Sequence, residues 1–164
     1  MPVASEPAAV NTGPLIALSA CGCLDLLHRL HPRVVAAEAV VAEFLRGQPT
    51  KPGDLFVQPP WLDVCALRTP PSPVLARRLD AGEAATIALA IEQKIPLVII
   101  DERRGRASAR LSGLRVAGSI GILLRAKRES LIAAIKPCLD SMQRAGMWQS
   151  QRLRSQALRE AGEG

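Results

Sequence analysis

The sequence predicts an α/β fold in which helices cover a doubly wound parallel sheet. Three observations lead to this fold class. Short apolar runs alternate with helical segments along the chain. The run PLVIID, 96–101, is a continuous apolar stretch of the kind that parallel sheets bury on both faces. The length of 164 residues suits one domain with one hydrophobic core.

The first half of the chain alternates strands and helices. The stretch AVNTGPLIAL, 9–18, is apolar except at its centre, where polar residues precede Pro14, which the first turn of a helix tolerates. This pattern indicates a buried strand that leads into a helix. The predicted strands are 8–11, 33–36 and 61–67, and the predicted helices are 14–30 with a break near Gly22, 37–46 and 73–79. Residues 47–60, with four prolines and two glycines, are predicted as a loop.

The second half continues the alternation. The predicted elements are a helix over 81–94, a strand over 96–101, a helix from 102 that ends near Gly113, a short strand in LRVAG, and helical segments over 119–130 and 131–146. The polar residues 147–164 are expected to fray. The sequence therefore predicts a single domain over 1–146 followed by a polar tail.

The positive charge is concentrated in the last third of the chain. The net charge is +6, and residues 101–164 carry 13 Lys and Arg against 6 Asp and Glu. Since 17 of the 21 basic residues are Arg, which binds phosphate in a bidentate manner, a nucleic-acid partner is compatible with this composition. A solvated basic surface explains the excess of Arg equally well. Two Phe, two Trp and no Tyr argue against an RNA-binding module built on aromatic stacking.

The sequence shows no secretory or membrane segment, so a cytoplasmic protein is expected. The first ten residues lack a basic region, and the uncharged stretch 7–24 contains two Pro and two Gly. Its four cysteines have neither C-x-x-C spacing nor companion histidines, which predicts reduced, buried thiols in preference to a metal or redox site. His28 and His31, at a predicted helix end, are expected at the surface.

Four oxygen-bearing residues from four separate segments are the candidate ligands of a metal ion. Asn11 and Asp101 end the first and the strongest strand, Glu43 lies beside the apolar stripe of its helix, and Glu83 lies in the first turn of another helix. The carboxyl ends of parallel strands share one edge of a sheet. Oxygen ligands without His or Cys suit Mg²⁺ or Mn²⁺, which can hold a scissile phosphate and activate water.

Each of these residues also has a purely structural interpretation. For each residue considered alone, the structural interpretation is at least as well supported as the ligand interpretation. Asn11 with Thr12 could cap a helix, Glu43 could pair with Arg46, Glu83 could form a capping box with Asp80, and Asp101 could cap the helix that follows it. The argument for a site is that all four fall where one α/β site would need them.

Four ordered blocks resemble the PIN-domain superfamily. They are VNTGPLIALSACGCLDLL, VVAAEAVVAEF, LDAGEAATIALA and LVIIDERRGRASARLSGLRVAGSIGILLRAK, and together they cover about residues 8–145. Within the superfamily the chain is most similar to small prokaryotic proteins related to VapC-type toxins, a group also described as a domain of unknown function. The resemblance implies a three-layer α/β/α sandwich on a mainly parallel sheet and a metal-dependent ribonuclease.

The resemblance also implies roles for individual residues. The metal-binding and catalytic positions are Asn11, Glu43, Glu83 and Asp101, with Mg²⁺ or Mn²⁺ as the cofactor. The substrate-binding candidates are Thr12, Arg103, Arg104, Arg106 and Ser119. One position departs from the family pattern, because Asn11 stands where Asp is usual and supplies an oxygen without charge. This departure predicts weaker metal binding and weaker activity.

Two classes of function follow from these observations. The first is an endoribonuclease of the kind that acts as the toxin of a toxin–antitoxin pair, with RNA, an antitoxin protein and a second copy of the chain in a homodimer as partners. The second is a PIN-like module that binds RNA or protein without turnover. A nucleotide-binding protein using GSIG, 118–121, is a weaker third interpretation, since neither G-x-G-x-x-G nor a Walker pattern is present.

Overall fold

A computed structural model describes residues 5–46, 58–147 and 149–164 of the chain. Five parallel strands form one sheet in this part, in the order β3-β2-β1-β4-β5. The strands are β1 (Ala8–Val10), β2 (Val34–Ala37), β3 (Leu62–Cys65), β4 (Leu97–Ile99) and β5 (Arg115–Ala117). The chain proceeds outward from β1 to β3 on one side and from β4 to β5 on the other. The direction of winding therefore reverses between β1 and β4, where open α/β sheets form their sites.

The helices cover this sheet in two groups. They are α1 (Thr12–Ala20), α2 (Leu26–Leu30), α3 (Glu38–Arg46), α4 (Pro73–Arg78), α5 (Ala81–Glu92), α6 (Arg103–Leu111), α7 (Ser119–Arg128), α8 (Lys136–Arg144) and α9 (Gln151–Glu160). Helix α5 lies against β1, β2 and β4 and contacts α3, α4 and α6. Helix α7 contacts α1, α2 and α9, and α1 also contacts α8 and, across to the first group, α3. The predicted α/β sandwich on a parallel sheet is confirmed.

The central strands hold the core. Every residue of β1, β2 and β4 is buried, whereas the edge strands β3 and β5 are partly exposed. This burial explains why their sequences are apolar on both faces, without the alternation of a half-exposed strand. The break predicted near Gly22 separates α1 from α2, and Gly22 itself has a φ of 68°. Most of the predicted loop 47–60 lies outside the described residues.

The C-terminal residues differ from the prediction. The tail expected to fray contains α9, which begins after Ser150, whose side chain accepts a hydrogen bond from the Leu153 amide. Glu163 accepts hydrogen bonds from the amides of Ile135 and Lys136 at the start of α8, so the tail is attached to the rest of the fold. Helix α8 is also shorter than the predicted segment 131–146. The domain boundary at residue 146 stays a prediction.

The histidines and cysteines differ in part from expectation. His31, predicted at the surface, is buried, and its Nδ1 lies 3.0 Å from the Glu6 carbonyl oxygen. His28 is exposed and stacks on Trp61. All four cysteines are free thiols, but only Cys138 is buried and the other three are half-buried. None of the helices in the described ranges is long and apolar enough to cross a membrane.

Candidate functional site

Asn11 and Asp101 lie at the carboxyl edge of two adjacent strands. Val10 of β1 is in register with Ile99 of β4, and the Asn11 amide donates a hydrogen bond to the Ile99 carbonyl oxygen at 3.0 Å. Asn11 follows β1 directly, and Asp101 follows β4 after one intervening buried residue. The structure therefore places both residues at the carboxyl edge of adjacent strands, where the sequence predicts them.

The side chain of Asn11 is buried and does not cap a helix. The residue stands at the N-cap of α1 with extended backbone, yet its side chain makes no capping hydrogen bond, and it is only 5% exposed. Its Oδ1 has no hydrogen-bond partner in the described part of the chain. A buried acceptor without a partner costs about 1–3 kcal/mol, so such groups usually serve a ligand or another function. The capping interpretation of Asn11 is wrong for this side chain.

Thr12 and Glu43 share the space beside Asn11. The Thr12 hydroxyl donates to Glu43 Oε2 at 3.1 Å. A Cβ on Gly82 would lie 2.8 Å from Glu43 Oε2 and 3.2 Å from Asn11 Oδ1, so these oxygens surround one small volume that Gly82 leaves open. The predicted Glu43–Arg46 ion pair is not found within the described ranges.

Glu83 has a structural partner and a second oxygen. The Glu83 amide donates to Asp80 Oδ1 at 2.8 Å, and the Asp80 amide donates to Glu83 Oε2 at 3.2 Å, so the capping box exists. Its other oxygen, Oε1, would lie 3.2 Å from a Cβ on Gly105. Desolvation of this buried side chain raises its pKa, and the charges of Asp80, Glu102 and Glu43 add to the effect. The structural role uses Oε2 only and is compatible with a ligand role for Oε1.

Asp101 is held by the first residue of α7. The Ser119 amide donates to Asp101 Oδ1 at 2.7 Å, and the Ser119 hydroxyl donates to Oδ2 at 2.5 Å. Asp101 thus caps α7 and not α6, the helix that follows it in sequence, whose N-cap is Glu102. Ser119 was a candidate substrate ligand, but its amide and hydroxyl both donate to Asp101.

The predicted phosphate-binding arginines occupy different positions. Arg106 Nη1 donates to the Ile100 carbonyl oxygen at 3.1 Å, and burial followed by the charge of Arg110 lowers its pKa. Arg103 is exposed and lines a cleft of about 1170 Å³, whereas exposed Arg104 is not part of its lining. The other basic side chains of the cleft are Arg106, Arg110, Arg125 and Arg128.

The predicted metal ligands form two neighbouring groups. Asn11, Thr12 and Glu43 surround the space at Gly82, and Asp101 lies with Ser119 at the cleft. A Cβ on Gly13 would be 4.0 Å from Asp101 Oδ2, so the two groups are adjacent. Within the described ranges, the carboxylates of Glu43, Glu83 and Asp101 do not all lie within 4.8 Å of one another.

Sequence reasoning missed three glycines that leave room for the ligand side chains. Side chains at these positions would meet the predicted ligands or Arg106. A Cβ on Gly82 would approach Glu43, one on Gly105 would approach Glu83, and one on Gly118 would lie 2.9 Å from Asp101 Oδ1 and 2.6 Å from Arg106 Nη1. A signal was available, because Gly82 and Gly105 occur in the first turns of helices, although Gly is a poor helix former.

Comparison with known proteins supports the assignment of the fold. No curated protein matches the chain. The sequence model of the PIN-domain family matches residues 7–163, nearly the whole length. The match includes α9, which the four sequence blocks did not reach. From the parallel sheet and this match together, the chain belongs to the PIN-domain family.

Proposed function

We propose that this chain is an endoribonuclease that hydrolyses phosphodiester bonds with Mg²⁺ or Mn²⁺. PIN domains are generally nucleases and usually use divalent metals. The observation that carries the proposal is the buried, unpartnered Oδ1 of Asn11, which shares a small open space with Glu43 at the carboxyl edge of the sheet. An orphaned acceptor in this position fits a site completed by a cation.

The donor set fits a hard cation. Asn11, Glu43, Glu83 and Asp101 offer an amide oxygen and three carboxylates, and oxygen-only donors select Mg²⁺ or Mn²⁺ over zinc. When bound, such an ion lowers the pKa of water and offsets phosphate charge. Because the three carboxylates are not gathered within 4.8 Å, binding requires side-chain movement, which the exposed Glu43 can supply while Ser119 holds Asp101.

The residues of the chain have separate tasks in this proposal. Ser119 is a positioning residue, because its two hydrogen bonds fix the plane of the Asp101 carboxylate. Thr12 orients Glu43 in the same way. Arg103 lines the cleft that reaches Asp101, where a phosphate could be held. Arg106 orients the backbone at Ile100 and faces the same cleft.

Single-stranded RNA with a 5′ label tests the proposal. We expect internal cleavage in Mn²⁺ or Mg²⁺, none in chelator, and loss of cleavage in Asp101→Asn. Arg104→Gln is the control and should cleave as the wild type does, because exposed Arg104 lies on α6, just after Asp101, but outside the lining of the cleft. Intact RNA in every metal, with a folded protein, would contradict the enzyme.

The second candidate function is RNA binding without turnover. The specific observation in its favour is the uncharged Asn11 among carboxylates that are not gathered in one cluster. Retarded migration of RNA that is equal with and without metal, together with absence of products, would favour the binding module.

Two further partners belong to the proposal through the family resemblance. We propose an antitoxin protein as the partner that inhibits the chain, and a second copy of the chain in a homodimer. An adjacent reading frame whose product blocks cleavage supports the toxin role. Light scattering that gives only a monomeric mass at micromolar concentration would contradict the dimer.

A further inference from the structure

Three thiols from two distant parts of the chain meet at the end of α1. The sulfur atoms of Cys21, Cys23 and Cys138 all lie within 4.8 Å of one another. Cys23 Sγ and Cys138 Sγ are 3.4 Å apart although the residues are separated by 115 positions. Within the described ranges, no other group of three His, Cys, Asp or Glu side chains meets this criterion.

The backbone brings the first two thiols to one side. Helix α1 ends at Ala20 with Cys21 as its C-cap, and Gly22 adopts a φ of 68°, a conformation that other residues rarely adopt. The Cys23 amide then donates to the Leu18 carbonyl oxygen at 2.8 Å, which closes the turn. The Cys-Gly-Cys turn therefore places the Cys21 and Cys23 sulfurs close together.

The third thiol comes from the first turn of α8. Cys138 is the third residue of this nine-residue helix. Cys138 is 8% exposed, whereas Cys21 and Cys23 are half-buried. An ion at the cluster could thus be reached from solvent and could take a further ligand from it.

We propose that Cys21, Cys23 and Cys138 form a trithiolate site for a thiophilic d¹⁰ cation, Zn²⁺ or Cu⁺. Zn–S bonds of about 2.3 Å place the sulfurs of a tetrahedral site about 3.8 Å apart, a spacing that the cluster reaches with small shifts. Thiolates select such soft ions over Mg²⁺. The site uses none of the oxygen ligands at the sheet edge.

The site lies at the opposite end of α1 from Asn11. Helix α1 has nine residues, so its ends are about 14 Å apart at a rise of 1.5 Å per residue. An ion bound there would link α1 to α8 in the folded state. It would stabilise the fold without entering the proposed catalytic site.

Metal uptake by the full chain tests this proposal. Protein that has been reduced and treated with chelator receives one equivalent of Zn²⁺, or of Cu⁺ in a parallel sample. We expect one ion per chain after desalting and a higher melting temperature. Cys138→Ser should lose about tenfold or more in affinity, since the ligand is removed. Cys65→Ser, which alters the half-buried cysteine of β3, should bind as the wild type does.

Two measurements do not depend on the folding of a variant. In the wild type, the bound ion should protect three thiols from alkylation and leave Cys65 reactive, as intact mass shows. Co²⁺ in place of Zn²⁺ should give sulfur-to-metal charge-transfer absorption. The ion that protects the thiols at the lower free concentration, Zn²⁺ or Cu⁺, is assigned to the site.

Either of two results would overturn the site. The first is equal alkylation of all four thiols with and without both ions. The second is that the reduced wild-type protein takes up neither ion, while a separate sample oxidised in air forms the Cys23–Cys138 disulfide. The disulfide would show that the two thiols meet without binding a metal. Because RNA cleavage is not measured, failure of the proposed nuclease would leave these results unaffected.

Discussion

Asn11 is buried, and its side-chain oxygen accepts no hydrogen bond from the described residues. Because the side chain makes no capping bond, its amide oxygen contributes nothing to α1 that another residue would need to replace. Replacement of Asn11 therefore reports on the space shared with Glu43 more than on helix formation.

The first prediction concerns charge at this position. Asn11→Asp places a buried carboxylate beside Glu43, so the metal-free protein should melt at a lower temperature. Mn²⁺ should raise the melting temperature more than it does for the wild type, and cleavage of RNA should increase. Calorimetry with and without Mn²⁺ measures the first two effects.

Asn11→Ala is the control. Since no cap is lost, it should cost less than the cap value of about 0.5–2 kcal/mol. Equal cleavage by the wild type and both variants, at the same folded fraction, would show that Asn11 has no part in the chemistry.

The positions of the site residues could be predicted only where the order of strands and helices along the chain determines them. Asn11 and Asp101 follow buried strands, so their meeting at the sheet edge follows from topology. The pairing of Asp101 with Ser119 depends on how α7 packs, and the burial of His31 depends on the distant Glu6. Local patterns contain no information on such long-range contacts.

At the level of elements, the start of α5 combines a cap with a proposed ligand, and two substitutions separate these roles. Glu83→Gln keeps the capping box, which accepts Gln, but removes the charge. It should retain the melting temperature and lose RNA cleavage. Asp80→Ala removes the cap and should cost about 0.5–2 kcal/mol while cleavage persists below the melting temperature. Loss of stability in both variants with cleavage kept in both would assign Glu83 to the cap alone.

The third prediction concerns the open space that Gly82 leaves. Gly82→Ala should gain up to about 1 kcal/mol of helix propensity, offset in part by the contact of its Cβ with Glu43 Oε2. The exposed Glu43 can move away, so the variant should fold but lose the Mn²⁺-induced rise in melting temperature.

Gly121→Ala is the matched control, because a Cβ there meets nothing within 4 Å inside α7. It should gain stability and keep the response to Mn²⁺. An unchanged Mn²⁺ response in Gly82→Ala would place the ion away from this space.

A helix or strand could be predicted where the interactions that stabilise it come from residues within the same segment. The buried strand 96–101 and the helix 81–94 were recognisable because apolar runs and capping residues lie within each segment. Helix α9 was missed because its stability comes from elsewhere. Ala157 is buried among other elements, and Glu163 binds the backbone of Ile135 and Lys136. The local composition of such a polar segment predicts disorder, because the groups that stabilise it lie far away in the sequence.

For the whole molecule, buried His31 predicts how stability depends on pH. Burial lowers its pKa below 6.5, with a smaller contribution from Arg125, while the Glu6 carbonyl and the charges of Glu6 and Glu129 oppose the shift. The unfolded chain therefore binds a proton near pH 6.5 that the folded chain does not. The free energy of unfolding should fall as pH decreases below 6.5, and this loss should end below the pKa of the folded state.

His31→Asn should remove this part of the pH dependence, because its side chain does not titrate. Its amide can donate to the Glu6 carbonyl oxygen, as Nδ1 can, which limits the loss of packing. Urea unfolding between pH 5 and pH 8, about the range in which histidine titrates, measures the slope for the wild type and the variant. The exposed His28→Asn serves as the matched substitution and should keep the wild-type slope. A slope that persists in His31→Asn would assign the pH dependence to other groups, since the buried imidazole would then take no part in it.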